Sequence, residues 1–512
     1  MTALPAAFST AVEARLAAYD AERIGLRIWE KDHTVWKPDP TEITDRLGWL
    51  GAPGSMLDDV DQLIRVASDA DSAGYKNVML LGMGGSSLAP EVFASCFGPR
   101  GGMARLHVLD TTDPAQILAT HEAAPPDQAL YLVASKSGGT IETLSQYHFF
   151  RAQFSDARRF MAITDPGSKL EALARDDRFF RTFHNDPDIG GRYSALSLFG
   201  IVPAVLMGID IEGTLARGTS MARDCGPAVS AADNPGAWLG VVLGEAALAG
   251  RDKLTIVLPE RLRSFGWWIE QLIAESTGKE GTGILPVEGE APGAPELYGD
   301  DRVFVVYGEH SWVDALADAG HPVVRYPEFD EPGLGAEFYR WEYATAVACW
   351  ILGVNPFDQP NVQEAKDATA RMLEGGNPVD DAGASAADVL GTVSRGDYIA
   401  LCAFAPRDDA HGRLLEDARE RLRRRYGVPV TVGYGPRYLH STGQLHKGGP
   451  NTGVFLQIVT PDEVDIEIPG RDYTFAGLKR AQADGELASL LARGRRVARL
   501  TAEELAELAA QA

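Results

Sequence analysis

Between residues 57 and 210 the chain keeps alternating short apolar runs with longer stretches of helical period, and this alternation limits the possible folds more than any other feature. Apolar runs fall at 77–81, 106–109, 131–134 and 159–164, with a weaker one at 179–183. Strands spaced by helices build βαβ units, so a parallel sheet with helices on both faces is expected, with ligands held by the loops at the carboxyl ends of its strands. A second series follows a Gly/Asn/Pro-bearing stretch at 226–236, with strands expected at 254–258, 303–307, 323–326, 398–404, 428–432 and 454–459. The Gly/Ala/Asp-rich stretch 374–387 reads as a loop, and the Ala/Leu/Arg/Glu-rich end after Gly485 reads as helix. The expected division is a helical segment over 1–56, a first α/β domain over 57–225, a second over 226–484 and a helical tail over 485–512.

Composition narrows the function classes. Lys and Arg number 48 against 72 Asp and Glu, a formal charge of −24, and no basic block offers a nucleic-acid face. The run Arg421–Arg425 follows acids and reads as a solvated helix face. An anionic substrate therefore meets a repulsive field and needs positive charge supplied locally. Cys96, Cys225, Cys349 and Cys402 lie far apart with no metal or redox spacing, which suits a reducing cytoplasm. The histidines include no H-x-x-x-H pair, so no metal or other cofactor is expected. The N-terminus lacks a signal-peptide pattern, and the longest uncharged run, 193–209, falls short of a span of about 20 residues and contains Pro203. A buried helix and no membrane association are expected.

Two loops carry the chemistry. The first strand runs into Gly82-Met83-Gly84-Gly85-Ser86-Ser87, whose glycines let backbone approach a ligand and whose following helix offers free N–H groups to an anion. A dinucleotide site is one reading, with Asp110 ending the next strand, but the third glycine of that fingerprint is missing. The second loop is SKSGGTIET at 135–143. Ser135, Ser137 and Thr140 can donate to phosphate oxygens, and Lys136 supplies the local charge. Capping of the next helix by Thr140 or Ser137 would explain one hydroxyl, not three and a lysine. A sugar phosphate fits this pair of loops better than a nicotinamide cofactor.

These strings resemble a known family. SKSGGTIET is similar to the phosphosugar loop of sugar isomerase (SIS) domains, LLGMGGSSLAP and GGRYSALS to the glycine-serine and arginine motifs of the phosphoglucose isomerase family, WWIEQLIAESTGK to its glutamate motif and ILGVNPFDQPNVQEAK to its lysine helix. With WEKDHTVWKPDPTEI near the N-terminus, the nearest resemblance is to the isomerase half of transaldolase/phosphoglucose isomerase fusions, without the transaldolase half. It implies two doubly wound, three-layer SIS domains with helical extensions, and aldose-ketose isomerisation of sugar 6-phosphates through an enediolate. It assigns Glu275 as base, Arg192 as enediolate stabiliser, and Lys366 and a histidine to ring opening. Gly85, Ser86, Ser135, Lys136, Ser137, Thr140, Gln271 and Gln359 then hold substrate, and a homodimer is implied.

An apolar setting for Glu275 is expected, because it favours proton transfer near neutral pH. The bland reading of Arg192 is an ion pair with Asp188 or Asp210. One departure stands out: no histidine follows Glu275 before the lysine helix in the way the family pattern has it, and the familiar string occurs late, at Leu439-His440-Ser441-Thr442-Gly443-Gln444. His440 is expected to reach the same pocket from there, with His446 and Lys447 in reserve and His310 and His321 ranked lower. The alternatives are an isomerase that also takes mannose 6-phosphate, a choice on which Gln359 and Thr277 bear, and a non-catalytic sugar-phosphate-binding SIS regulator.

Overall fold

The computed structural model describes residues 2–375 and 384–511. The first strand series forms one parallel sheet from β1 (Asn77–Gly82), β2 (Arg105–Leu109), β3 (Ala129–Ala134), β4 (Phe160–Thr164) and β5 (Arg181–His184), in the order β2-β1-β3-β4-β5. Every residue of β3 and β4 is buried, as strands covered on both faces require. The chain order reverses beside β1, and Gly82 pairs with Ala134 in register. The glycine loop and the SKSGGT loop therefore leave the sheet side by side, at the switch point where open α/β sheets bind ligands. The uncharged run yields the buried helix Leu198–Leu206.

The second strand series is divided between two sheets. β6 (Lys253–Val257), β7 (Leu285–Val287), β8 (Arg302–Tyr307) and β9 (Val323–Tyr326) pair in the order β7-β6-β8-β9. β10 (Tyr398–Phe404), β11 (Val430–Tyr434), β12 (Gly453–Val459) and β13 (Arg496–Leu500) form the third sheet, β11-β10-β12-β13. All pairs within both sheets are parallel, so the three-layer α/β architecture holds throughout.

Two expectations near the C-terminus need correction. The segment after Gly485 is not wholly helical: helix Phe475–Ala492 continues through it, β13 follows, and helix Ala502–Ala510 closes the chain. The strand was hidden because Arg496 and Arg499 interrupt its apolar residues, and both arginines are held by polar partners, Asp397 for one and Gln457 and Asp484 for the other. Of the expected loop 374–387, residues 376–383 lie outside the described residues, and helix Ala386–Leu390 occupies its end.

Packing joins the parts. The N-terminal helices lie on the second-half helices, with the Tyr19 and Tyr343 hydroxyls 2.8 Å apart, and Ala3 pairs with Val323 at the edge of the second sheet. Phe475 and Leu478 of the C-terminal helix enter the core beneath the first sheet. Tyr193, fully buried, packs its ring between Trp49 and Phe357 at 5.2 and 5.1 Å. Truncating such an aromatic costs about 3–5 kcal/mol, and it would loosen the Arg192 turn and the Phe357 loop together.

Candidate active site

The glycine loop is the centre of the cluster. Gly84 has a positive φ of 56°, and a Cβ on it would stand 2.8 Å from the Gln271 amide nitrogen and 3.1 Å from the His440 carbonyl oxygen. A Cβ on Gly85 would fall 1.9 Å from the Gly191 carbonyl oxygen. Only glycines let the β1 loop touch the glutamate helix, the histidine loop and the arginine turn at once.

The glutamate helix spans Arg263–Thr277 and is buried along most of its length. Gln271 and Glu275, four residues apart, share a face. The Gln271 amide donates to Glu275 Oε2 at 3.0 Å and to the His440 carbonyl at 2.7 Å, tying Glu275 to the histidine loop. Glu275 is buried, but its surroundings are not the apolar setting expected: Arg192 Nη1 lies 3.4 Å from Oε1.

Arg192 is buried and held by neutral acceptors. Nε donates to the Ser276 hydroxyl at 2.8 Å, Nη1 to Gln359 Oε1 at 2.9 Å, and Nη2 to the carbonyls of Pro356 and Asp358 at 2.7 and 2.8 Å. Neither Asp188 nor Asp210 is among these partners. Carbonyls and an amide orient the guanidinium, so Glu275 is its one anionic contact among these partners.

One of the carbonyls that hold Arg192, that of Asp358, is itself held by Lys279, which no motif assignment had singled out. Its buried ammonium donates to the Asn355 carbonyl, and to the Asp358 carbonyl and carboxylate at 2.5 Å each. Burial, then the nearby Arg192 charge, lowers Lys279 to about 8. In the sequence this lysine merely ends the glutamate motif.

The late histidine loop reaches this cluster through Gln444. Its side-chain amide donates to the Gly278 carbonyl at the end of the glutamate helix and to Asn361 Oδ1, at 2.9 and 2.7 Å, and its oxygen accepts from the Asn361 backbone at 2.9 Å. This clamp joins the loop to the start of helix Pro360–Leu373. His440 Nε2 lies 2.8 Å from Glu142 Oε1, which also accepts from Gln482 at 2.7 Å. Burial alone would raise the Glu142 carboxyl, but the His440 charge and hydrogen bond, with Lys366 beyond, hold it below the usual carboxylate range. Glu142 is a second missed residue. Its signal is a polar stripe, Glu142, Ser145 and Gln146, buried at helical spacing on Ile141–Arg151.

Other expected residues are placed differently from one another. The Ser135 and Thr140 hydroxyls converge at 3.1 Å; Thr140 stands at the helix N-cap yet makes no capping bond. Ser137 is exposed and Ser86 partly so. Lys136 does not present a free charge, since its ammonium pairs with Asp165 at 2.5 Å and donates to the Pro187 carbonyl at 2.7 Å. Lys366 is exposed, and its charge reaches Glu142. His446 is buried among Tyr398, Tyr438 and Phe455, and Lys447 is sealed in a pair with Glu486, so neither reserve candidate faces the cluster. His310 bonds the Tyr307 carbonyl, and His321 packs on Phe304. The Thr277 hydroxyl bonds backbone at both Ile273 and Ile284.

Comparison with known proteins gives a consistent picture. A family model described as phosphoglucose isomerase matches residues 62–299. A probable glucose-6-phosphate isomerase of Haloarcula marismortui is 30% identical over 357 residues, covering 60% of this chain and 80% of the relative. The glucose-6-phosphate isomerase of Rubrobacter xylanophilus is 29% identical over 429 residues, covering 70% and 95%. Among solved structures, a hypothetical protein from Thermus thermophilus superposes with a TM-score of 0.62 at 23% identity, over 73% of this chain and 100% of that one. A glucose-6-phosphate isomerase from Chlamydia trachomatis gives 0.53 at 18% identity, over 69% and 78%. These two similarities speak to the fold.

Proposed function

The chain belongs to the phosphoglucose isomerase family, and from that premise we propose that it interconverts glucose 6-phosphate and fructose 6-phosphate by moving a proton between C1 and C2. The observation that carries this reading is the convergence of Glu275, Arg192 and His440 on one buried cluster, with Gln271 bridging the first and last. A sugar-phosphate binding protein has no use for a carboxylate and an oriented guanidinium 3.4 Å apart beside a histidine-carboxylate pair.

The steps follow from these positions. The phosphate sits against Gly85 and Ser86 and the hydroxyls of Ser135, Ser137 and Thr140. Lys136, being paired, contributes by shaping its loop, so the grip relies on neutral donors. His440, held by Glu142, assists ring opening together with Lys366, whose charge reaches the same carboxylate. Glu275 then takes the proton from C2 of the open aldose, leaving an enediolate whose oxygen charge faces Arg192, and returns a proton to C1 to give the ketose. Gln271 and Gln359 fix the base and the guanidinium. The reaction is redox-neutral, and no step requires a cofactor.

The reading includes a cytoplasmic location, supported by four free cysteines; no helix among the described residues is long and apolar enough to cross a membrane. It also includes a homodimer, although Glu275, Arg192 and His440 all come from one chain. The test is isomerisation of fructose 6-phosphate coupled to glucose-6-phosphate dehydrogenase. Turnover by the intact protein and a loss of about 100-fold or more in Glu275→Gln are expected for a missing proton-transfer group. A folded protein that binds the sugar phosphate without turnover would refute it.

A further inference from the structure

Where the three sheets meet, a cavity of about 280 Å³ lies behind the glutamate helix and shares no lining residue with the catalytic cluster. Arg263, Trp267 and Glu270 line it from the helix side, spaced by four and three residues so that they share a face. Glu288 follows β7, and the other wall comes from β11 and the short turn Arg437–His440.

Most charges around the cleft already have partners. Arg437 pairs with Glu91 and, at 3.0 Å, with Asp110, and lies 5.4 Å over the Trp267 ring; Arg419 pairs with Glu416 at 2.6 Å. Two groups are less completely held. Arg263 reaches Glu416 at 3.4 Å through Nη2, while its Nε is buried without a hydrogen-bond partner among the described residues. Glu270 faces the charges of Glu288, Arg437 and Arg419, and none of these influences is a hydrogen bond. Burial, then the Glu288 charge, pushes Glu270 up to about 8, and burial raises Glu288 too. Glu270 then offers an O–H donor beside the Arg263 guanidinium and the Trp267 indole face.

We propose that this cleft is a second, non-catalytic binding site for a small polyhydroxylated anion of sugar-phosphate size. The anion meets Arg263, hydroxyls meet the carboxyls of Glu270 and Glu288, and the carbon face lies against Trp267. The volume sits near the lower end of small-ligand sites, about 300 Å³, which suits a single monosaccharide unit. The site rests on the cleft's own residues and stands or falls apart from the isomerase reading. Because the turn that carries His440 forms one wall, occupancy reaches the catalytic cluster through Arg437 and Asp110, and the Ser87 hydroxyl of the glycine loop lies 3.4 Å from that carboxylate.

The probe is glucitol 6-phosphate, which lacks a carbonyl and cannot isomerise, titrated calorimetrically into the intact chain. Two sites per chain are expected in the native protein. In Arg263→Ala the second site weakens at least tenfold, the loss expected for one charge-assisted contact, while kcat/KM for fructose 6-phosphate stays within about twofold. Arg263 is 40% exposed at its side chain, so this variant should fold. In Glu270→Gln, whose amide keeps a neutral donor, the second site is retained. At saturating fructose 6-phosphate the probe changes kcat of the native protein and not of Arg263→Ala. One site per chain in the native protein, a second site indifferent to Arg263→Ala, or its loss in Glu270→Gln would overturn the assignment, and a kcat insensitive to the probe would overturn the coupling.

Discussion

Mixing two inactive variants separates a site built within one chain from a site shared between copies. In this structure the Gln271 amide spans Glu275 and His440 at 3.0 and 2.7 Å, and His440 meets Glu142 at 2.8 Å, all within a single chain. Glu275→Gln removes the proposed base and His440→Ala the proposed ring-opening histidine, so each variant alone should lose about 100-fold or more. If copies exchanged the histidine, random pairing would make about half the dimers mixed, each with one intact site, and about a quarter of native activity would return. With both residues contributed by the same chain, every site in the mixture carries one lesion and no activity returns. The assay is coupled isomerisation after the variants are unfolded together and refolded, with native protein carried through the same cycle as the reference. Recovery approaching a quarter would refute the placement of His440 in its own chain's site. A homodimer is compatible with either outcome, so the mixture reads the origin of the histidine rather than the number of chains.

Two further predictions address residues of the glutamate motif to which the resemblance gives no role. Lys279→Met takes a buried donor from the Asn355 carbonyl and the partly exposed Asp358 carboxylate, which should cost about 1–3 kcal/mol in urea unfolding, and should lower kcat about tenfold or more through misplacement of Arg192, with a smaller change in KM. A loss of stability with kcat intact would show that the 355–358 loop does not position Arg192. Glu270 rises from 4.5 to about 8 in the folded chain, chiefly by burial. The native state therefore keeps a proton that the unfolded chain releases; this stability is fully present below pH 4.5 and is lost as pH passes 8. At about 1.4 kcal/mol per unit the ceiling is about 5 kcal/mol, and local relaxation should leave about 1–3. Glu270→Gln carries no such contribution, so urea midpoints at pH 5 and pH 9 should show it gaining on the native protein as pH rises; a constant difference would refute the burial of this carboxyl.

The sequence made the first sheet legible because its strands are uniformly apolar and its loops are glycine- and hydroxyl-rich. β3 is buried at every residue, so nothing interrupts its pattern. β7, at three residues, and β13, interrupted by arginines, lacked that contrast and were missed. Division of the second strand series into two sheets was equally hidden, since a strand's composition reports its burial and not its neighbours. The same distinction separates the site residues that motifs delivered from those they did not. Glu275 and Arg192 sit within strings whose spacing fixes them on one helix and one turn. Lys279 and Glu142 act across 79 and 298 positions, on Asp358 and His440.

The position of His440 follows from the third sheet rather than from the glutamate helix. The family match ends at residue 299, before the strands that deliver this histidine. β10 and β11 pair in parallel, so both end on the same side of their sheet, and the turn Arg437–His440 leaves directly from β11. The clamp at Gln444 then fixes that turn against Gly278, where a Cβ would stand 2.5 Å from the Leu445 Cα. Gly278 is thus required for the loop to seat, just as Gly84 is required for it to touch the β1 loop. A chain that supplies its histidine from its own third sheet needs both glycines, and neither requirement depends on a second copy.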